Sequence, residues 1–137
     1  MTGLYSLKDG SVAEYKFNKD QKIILVGVPG AFTPTCTEEH LPGFVNNLDK
    51  LKDYTVVFFA SNDCCVMDAW NKLYGHPDIA AASDNLGEFA KTLGEEVDFG
   101  PTFGWRCKRC AYLIEDGEVV KKFKSPFIDG VLSELND

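Results

Sequence analysis

The sequence predicts an α/β fold in which helices flank a central mixed β-sheet on both faces. Three observations predict it. Two apolar runs of strand length, residues 22–28 and 54–60, are rich in β-branched and aromatic residues, as strands buried on both faces must be. Each run is followed by a helix-start signature, Thr33-Pro34 or Thr35 with Glu38 after the first and Ser61-Asn62-Asp63 after the second. Strand-like and helix-like segments then continue to alternate, which is the order that builds a parallel or mixed sheet.

Taken in order, Gly10-Ser11 separates residues 4–7 from 12–17, where Val12, Glu14 and Lys16 alternate with Ala13, Tyr15 and Phe17, a pattern that predicts a hairpin covering the sheet edge. Pro29-Gly30 ends the first buried strand. The helical pattern that follows runs to about residue 52 through Leu41, Phe44, Val45, Leu48 and Leu51. Pro42 sits inside it, and an interior proline costs roughly 3 kcal/mol, so the helix is expected to kink or break near Leu41. A second helix carries Val66, Met67, Trp70 and Leu73 and stops at Gly75-His76-Pro77. Residues 79–82 form a short third strand, and Asp84-Asn85 caps a helix with Leu86, Phe89, Ala90 and Leu93 on one face. Phe99-Gly100-Pro101 is loop. Residues 103–114 and 118–124 flank Glu115-Asp116-Gly117, a hairpin turn, and the last helix starts at Asp129 with Val131, Leu132 and Leu135. This β-α-β then β-β-α order is that of a thioredoxin-like fold.

At 137 residues and 45% hydrophobic composition, with ten Phe and two Trp, the chain 1–137 reads as a single domain. The first twenty residues lack the basic start and apolar core of a signal peptide, and no run reaches membrane-spanning length, so a soluble, cytoplasmic protein is expected. A net charge of -7 argues against nucleic acid or an anionic membrane as partner, because both need a concentrated positive field. Five cysteines, an odd number, suit a reducing compartment and reactive or buried thiols.

One of those cysteines stands out. Cys36 falls in the first turn after the first strand, where unpaired N–H groups and the positive end of the helix favour a negative, nucleophilic sulfur. The bland alternative is an inert buried thiol. The spacing Pro29, Thr33, Cys36 spells PxxxTxxC. The longer string Gly27-Val28-Pro29-Gly30-Ala31-Phe32-Thr33-Pro34-Thr35-Cys36, followed by His40-Leu41-Pro42-Gly43-Phe44, closely resembles the peroxiredoxin-5, or type II, branch of the peroxiredoxins. The resemblance runs from about residue 22 to 123, through Ser61-Asn62-Asp63, Arg109 and Glu115-Asp116-Gly117.

That resemblance implies a thioredoxin-like, cofactor-free thiol peroxidase that reduces hydrogen peroxide and alkyl hydroperoxides through a Cys36 sulfenic acid, in antioxidant defence. It assigns Arg109 to polarise the peroxide, Thr33 to hold it by hydrogen bonding, the Cys36 N–H as a further donor and Pro29 to shape the pocket. It also implies a homodimer touching near Phe32 and the start of the second helix. His40, four residues after Cys36, is expected to orient the loop rather than to move protons.

The residues leave other roles open. If residues 103–114 are one strand, Arg106 and Lys108 face away from Arg109, whereas Cys107 shares its face and becomes a candidate resolving thiol. Arg106 is the second choice for the active-site cation. Positions where relatives carry a resolving cysteine are empty here: Phe58 occupies one, and no cysteine follows Cys110. A cycle completed by glutathione, glutaredoxin or thioredoxin is the other route. Cys107 and Cys110 could instead be a thiol–disulfide pair, but residues three apart on a strand point to opposite faces, so this requires the strand to break. A different class, a zinc site of Cys64, Cys65, Cys107 and Cys110, suffers from adjacent ligands and no knuckle turn. Cys64 and Cys65 are otherwise expected to be buried without a role.

Overall fold

Alternation along one strand divides the molecule in two. In the computed structural model, which describes residues 2–136, strand β3 (Ile23–Gly27) is buried throughout. Ile24 and Val26 point into one hydrophobic core, and Ile23 and Leu25 into another on the opposite face. β4 (Thr55–Ala60) repeats the division, with Val56, Phe58 and Ala60 on the first face and Val57 and Phe59 on the second. β5 (Ile79–Ser83) continues the parallel set beside β4.

The N-terminal hairpin, β1 (Tyr5–Lys8) and β2 (Ser11–Glu14), adds to the outer edge of β5 through Tyr5 opposite Ser83. Its loop is Asp9-Gly10, both at positive φ, which matches the twist of a two-residue hairpin. On the other side β3 pairs antiparallel with β8 (Cys110–Glu115), and β8 with β9 (Glu118–Lys122) across Asp116-Gly117. The sheet order β2-β1-β5-β4-β3-β8-β9 is therefore mixed, as expected.

Helices α1 (Leu41–Val45), α2 (Cys64–Tyr74) and α4 (Ile128–Leu135) cover the first face with Leu41, Phe44, Met67, Trp70 and Val131. α3 (Glu88–Thr92) covers the second with Phe89 and Ala90. The Asp84 carboxylate accepts from the Phe89 and Ala90 amides, and Asp63 from the Val66 amide, so both expected acidic caps form.

Several details depart from the sequence reading. The segment to residue 52 is three short helices: a π-helical turn (Cys36–His40), α1 and a 3-10 turn (Leu48–Lys50). The wide turn, closed by Leu41 N–H to Cys36 C=O, comes one residue before a proline that has nothing to donate. Pro42 then lies in the first turn of α1, where a missing N–H is harmless. Leu73 and Leu86 are 68% and 80% exposed, off the buried faces assigned to them. Residues 103–114 are not one strand. β7 (Trp105–Cys107) pairs with β6 (Glu96–Asp98) in a separate two-stranded sheet, and only after Lys108-Arg109 does the chain enter the central sheet as β8.

Gly27 ends β3 where a Cβ would stand 2.8 Å from the sulfurs of both Cys107 and Cys110 and 2.9 Å from the Phe59 ring. Gly27→Ala is expected to destabilise the fold by about 1–3 kcal/mol through overpacking. Urea unfolding of the two proteins measures this, and equal midpoints would contradict the packing described.

Candidate functional site

The turn between β3 and the π-helical turn is built to present Cys36. Asn62 Oδ1 accepts from the Ala31 amide at 2.8 Å and so ties the turn to the end of β4. Phe32 takes a positive φ of 64°, a conformation that a non-glycine residue adopts only when its surroundings impose it. The first helical hydrogen bond, Thr37 N–H to Thr33 C=O, places Thr33 at the cap position, with Pro34 directly after it. The capping box of Thr35 and Glu38 does not form. Instead the Thr33 hydroxyl donates to the Gly30 carbonyl at 2.6 Å. With its proton so engaged, the Thr33 oxygen faces any ligand as an acceptor.

Cys36 is fully buried. Arg109, in the link between β7 and β8, donates from Nη2 to its sulfur at 3.3 Å and from Nη1 to His40 Nδ1 at 2.8 Å. A guanidinium has no acceptor to offer, so Nδ1 must be unprotonated, and the ring proton on Nε2 goes to the Pro126 carbonyl at 2.8 Å. The His40 ring lies among Phe44, Phe58 and Phe127, and the Phe127 ring also stacks under the guanidinium at 5.6 Å. Burial, opposed by the Pro126 bond and helped by the Arg109 charge, lowers the His40 pKa to about 4. His40 is therefore a neutral acceptor that fixes the arginine, a stronger role than orienting a loop.

Next to this cluster is a cavity of about 390 Å³ lined by Pro29, Thr33, Phe99, Phe103, Arg106 and Arg109. Arg106 lines it because the strand breaks after β7; the alternation that would have turned it away does not hold across the break. Arg106 does not reach the sulfur; it donates to the carbonyls of Phe103 and Pro29.

The structure thus brings together Pro29, Thr33, Cys36 and Arg109, and it separates Cys107 from them. Cys107 and Cys110 belong to the core on the second face of the central sheet, and Cys36 to the core on the first. Cys107 is therefore not placed to resolve Cys36. Nor are Cys64 and Cys65 buried: the first is half-buried and the second exposed. Among the described residues no three metal-ligating side chains gather, which disfavours the four-thiolate site. Pro126 and Phe127 were not expected here, since nothing local marks residues that meet His40 from 86 and 87 positions away.

A family model described as Redoxin matches residues 4–137. The chain is 41% identical over 104 residues to peroxiredoxin-2B of Arabidopsis thaliana, covering 72% of this chain and 64% of that protein. It is 40% identical over 104 residues to peroxiredoxin-2C of Oryza sativa subsp. japonica, covering 72% and 64%. The chain thus spans slightly less than two thirds of the length of these relatives. Among solved structures, reduced Prx3 of Vibrio vulnificus in complex with hydrogen peroxide superimposes with a TM-score of 0.90 at 31% identity, covering 98% of this chain and 92% of that one.

Protonating His40 would place a second cation against Arg109, and the folded state resists this down to about pH 4 while the unfolded chain takes up the proton near pH 6.5. Stability is therefore lost as the pH falls through that window, by on the order of 2–3 kcal/mol between pH 7 and 4.5. Urea unfolding at the two pH values should show the gap between wild type and His40→Gln shrinking by this amount on acidification. Parallel losses in the two proteins would contradict a neutral, buried His40.

Proposed function

The chain belongs to the redoxin family as a peroxiredoxin of the type II branch, and from that membership we propose that it is a thiol-dependent peroxidase with Cys36 as the attacking sulfur. The observation that carries this reading is the Arg109 guanidinium, which touches Cys36 Sγ and lines the cavity beside it. The Cys36 thiolate attacks one oxygen of the hydroperoxide, the O–O bond breaks, and the second oxygen leaves with the electron pair and takes up a proton. Products are a Cys36 sulfenic acid and water or an alcohol. Arg109 offers positive charge to the leaving oxygen as it develops, and the Cys36 N–H, among the first-turn donors without a helical partner, offers a hydrogen bond. The Thr33 oxygen accepts a hydrogen bond from the peroxide O–H, and Pro29 forms part of the wall. Phe99 and Phe103 make much of the rest of the wall apolar, which supports alkyl hydroperoxides alongside hydrogen peroxide as substrates.

An external thiol, of the glutathione, glutaredoxin or thioredoxin kind, closes the cycle. The placement of Cys107 and Cys110 across the sheet supports this. The five free thiols support a reducing compartment such as the cytoplasm. Phe32, 47% exposed, supports a homodimer through the turn before Cys36; its edge-to-face partner Tyr74, 46% exposed, lies at the end of α2 and not at the start that the resemblance implies.

Reduced protein given one equivalent of hydrogen peroxide without other thiols should gain one oxygen in its intact mass, and Cys36→Ser should not. No rapid change in the wild type, or an equal change in the variant, would contradict the peroxidase reading. Thr33→Val removes one neutral hydrogen bond to the peroxide and should slow the oxidation of Cys36 by roughly tenfold. Competition kinetics against catalase measures that rate, and an unchanged constant would remove Thr33 from the site.

A further inference from the structure

The break between β7 and β8 also turns Cys107 and Cys110 toward each other. Their sulfurs lie 3.8 Å apart, both residues 2% exposed, on the sheet face away from Cys36. Space for the two sulfurs exists because Gly27, opposite Cys110 in the ladder, has no side chain. Both ends of the link are anchored: Cys107 pairs with Glu96 in the small sheet, Lys108 N–H donates to the Glu95 carbonyl at 2.6 Å, and Cys110 is held in the central sheet. A disulfide needs sulfurs about 2 Å apart, so closure asks for an approach of roughly 1.8 Å within a slot that already holds both. Cys107, unlike Cys110, also lines a cavity of about 480 Å³ bordered by Asp84, Glu88, Lys91, Trp105 and Arg106. Arg106 stands between this cavity and the one beside Cys36.

We propose that Cys107 and Cys110 are a second redox site, a dithiol that closes to an intramolecular disulfide by exchange with a small-molecule disulfide entering the cavity at Cys107. The Cys107 sulfur, giving up its proton, attacks one sulfur of the incoming disulfide, whose S–S bond breaks and releases one thiol. The Cys110 sulfur, giving up its proton, then attacks Cys107 in the mixed disulfide and releases the second thiol. Two electrons pass from the protein dithiol to the small disulfide, and two small thiols leave with the two protons. The hydrogen bond with Cys110 and burial hold Cys107 in its thiol form, so the exchange is slow. Because the two residues between the sulfurs include Arg109, the oxidation state of the pair is felt at the guanidinium on Cys36.

A Cys36→Ser, Cys64→Ser, Cys65→Ser protein, confirmed as folded by circular dichroism, isolates the pair. Incubated with oxidised glutathione, it should lose two hydrogens in intact mass with no persistent glutathione adduct, and peptide mapping should join Cys107 to Cys110. Adding Cys110→Ser should trap glutathione on Cys107. A folded protein that stays reduced while the same chain in urea is oxidised would overturn the proposal, as would a stable adduct with both thiols present. In the same samples the Arg109 side-chain nitrogen resonance should shift on oxidation; an unmoved resonance would refute the link to the guanidinium.

Discussion

The geometry of the candidate site depends on how one guanidinium is held. Arg109 reaches His40 Nδ1 at 2.8 Å and Cys36 Sγ at 3.3 Å, and no carboxylate is paired with it among the described residues. A cation taken partly out of water must be compensated, and the usual partner would be an acid. A neutral imidazole compensates by hydrogen bonding without cancelling the charge. The positive field is therefore left for the sulfur and, in the proposed peroxidase reaction, for the oxygen that becomes negative. The same arrangement explains the depressed basicity of His40, since a proton on its ring would both sit in an aromatic pocket and face the arginine.

The scaffold serves this contact by joining distant segments. β3 delivers Cys36 through a tight turn, and the π-helical turn then aims His40 back at the sheet, with α4 closing over it through the Pro126 carbonyl and Phe127 just before the helix. Arg109 arrives from the other side because the chain leaves the small sheet and enters the central one at that point. A continuous strand would have fixed alternate faces for residues 106–110. The interruption instead lets Arg106 and Arg109 line one cavity and turns two cysteines together on the far face.

Much of the scaffold was legible in the sequence because its signals are local. Buried strands read as unbroken apolar runs, caps as acids before helices, and the second hairpin as Asp116-Gly117, whereas the first turn, read at Gly10-Ser11, falls one residue earlier at Asp9-Gly10. Pro29, Thr33 and Cys36 could be grouped because they share one short turn, and Arg109 through its place in a familiar pattern. The break at Lys108-Arg109 was not legible: residues 103–114 carry no proline and alternate well enough to pass for one strand. What interrupts them is the capture of the Lys108 amide by the Glu95 carbonyl, a contact that no local pattern announces. The relocation of Cys107 follows from that one hydrogen bond and the separate pairing of β7. The His40–Arg109 contact, spanning 69 positions, is likewise a product of packing.

In the proposed reaction Arg109 acts on the leaving oxygen and not merely on the sulfur beside it. Comparing Arg109→Gln with wild type in two reactions of Cys36, with hydrogen peroxide and with iodoacetamide, separates these roles, because iodide departs without forming an oxyanion. Action on the leaving oxygen predicts a loss of about 10²–10³ in the peroxide rate and a much smaller loss in alkylation. Equal losses in both reactions would contradict it, reducing Arg109 to a partner of the sulfur alone.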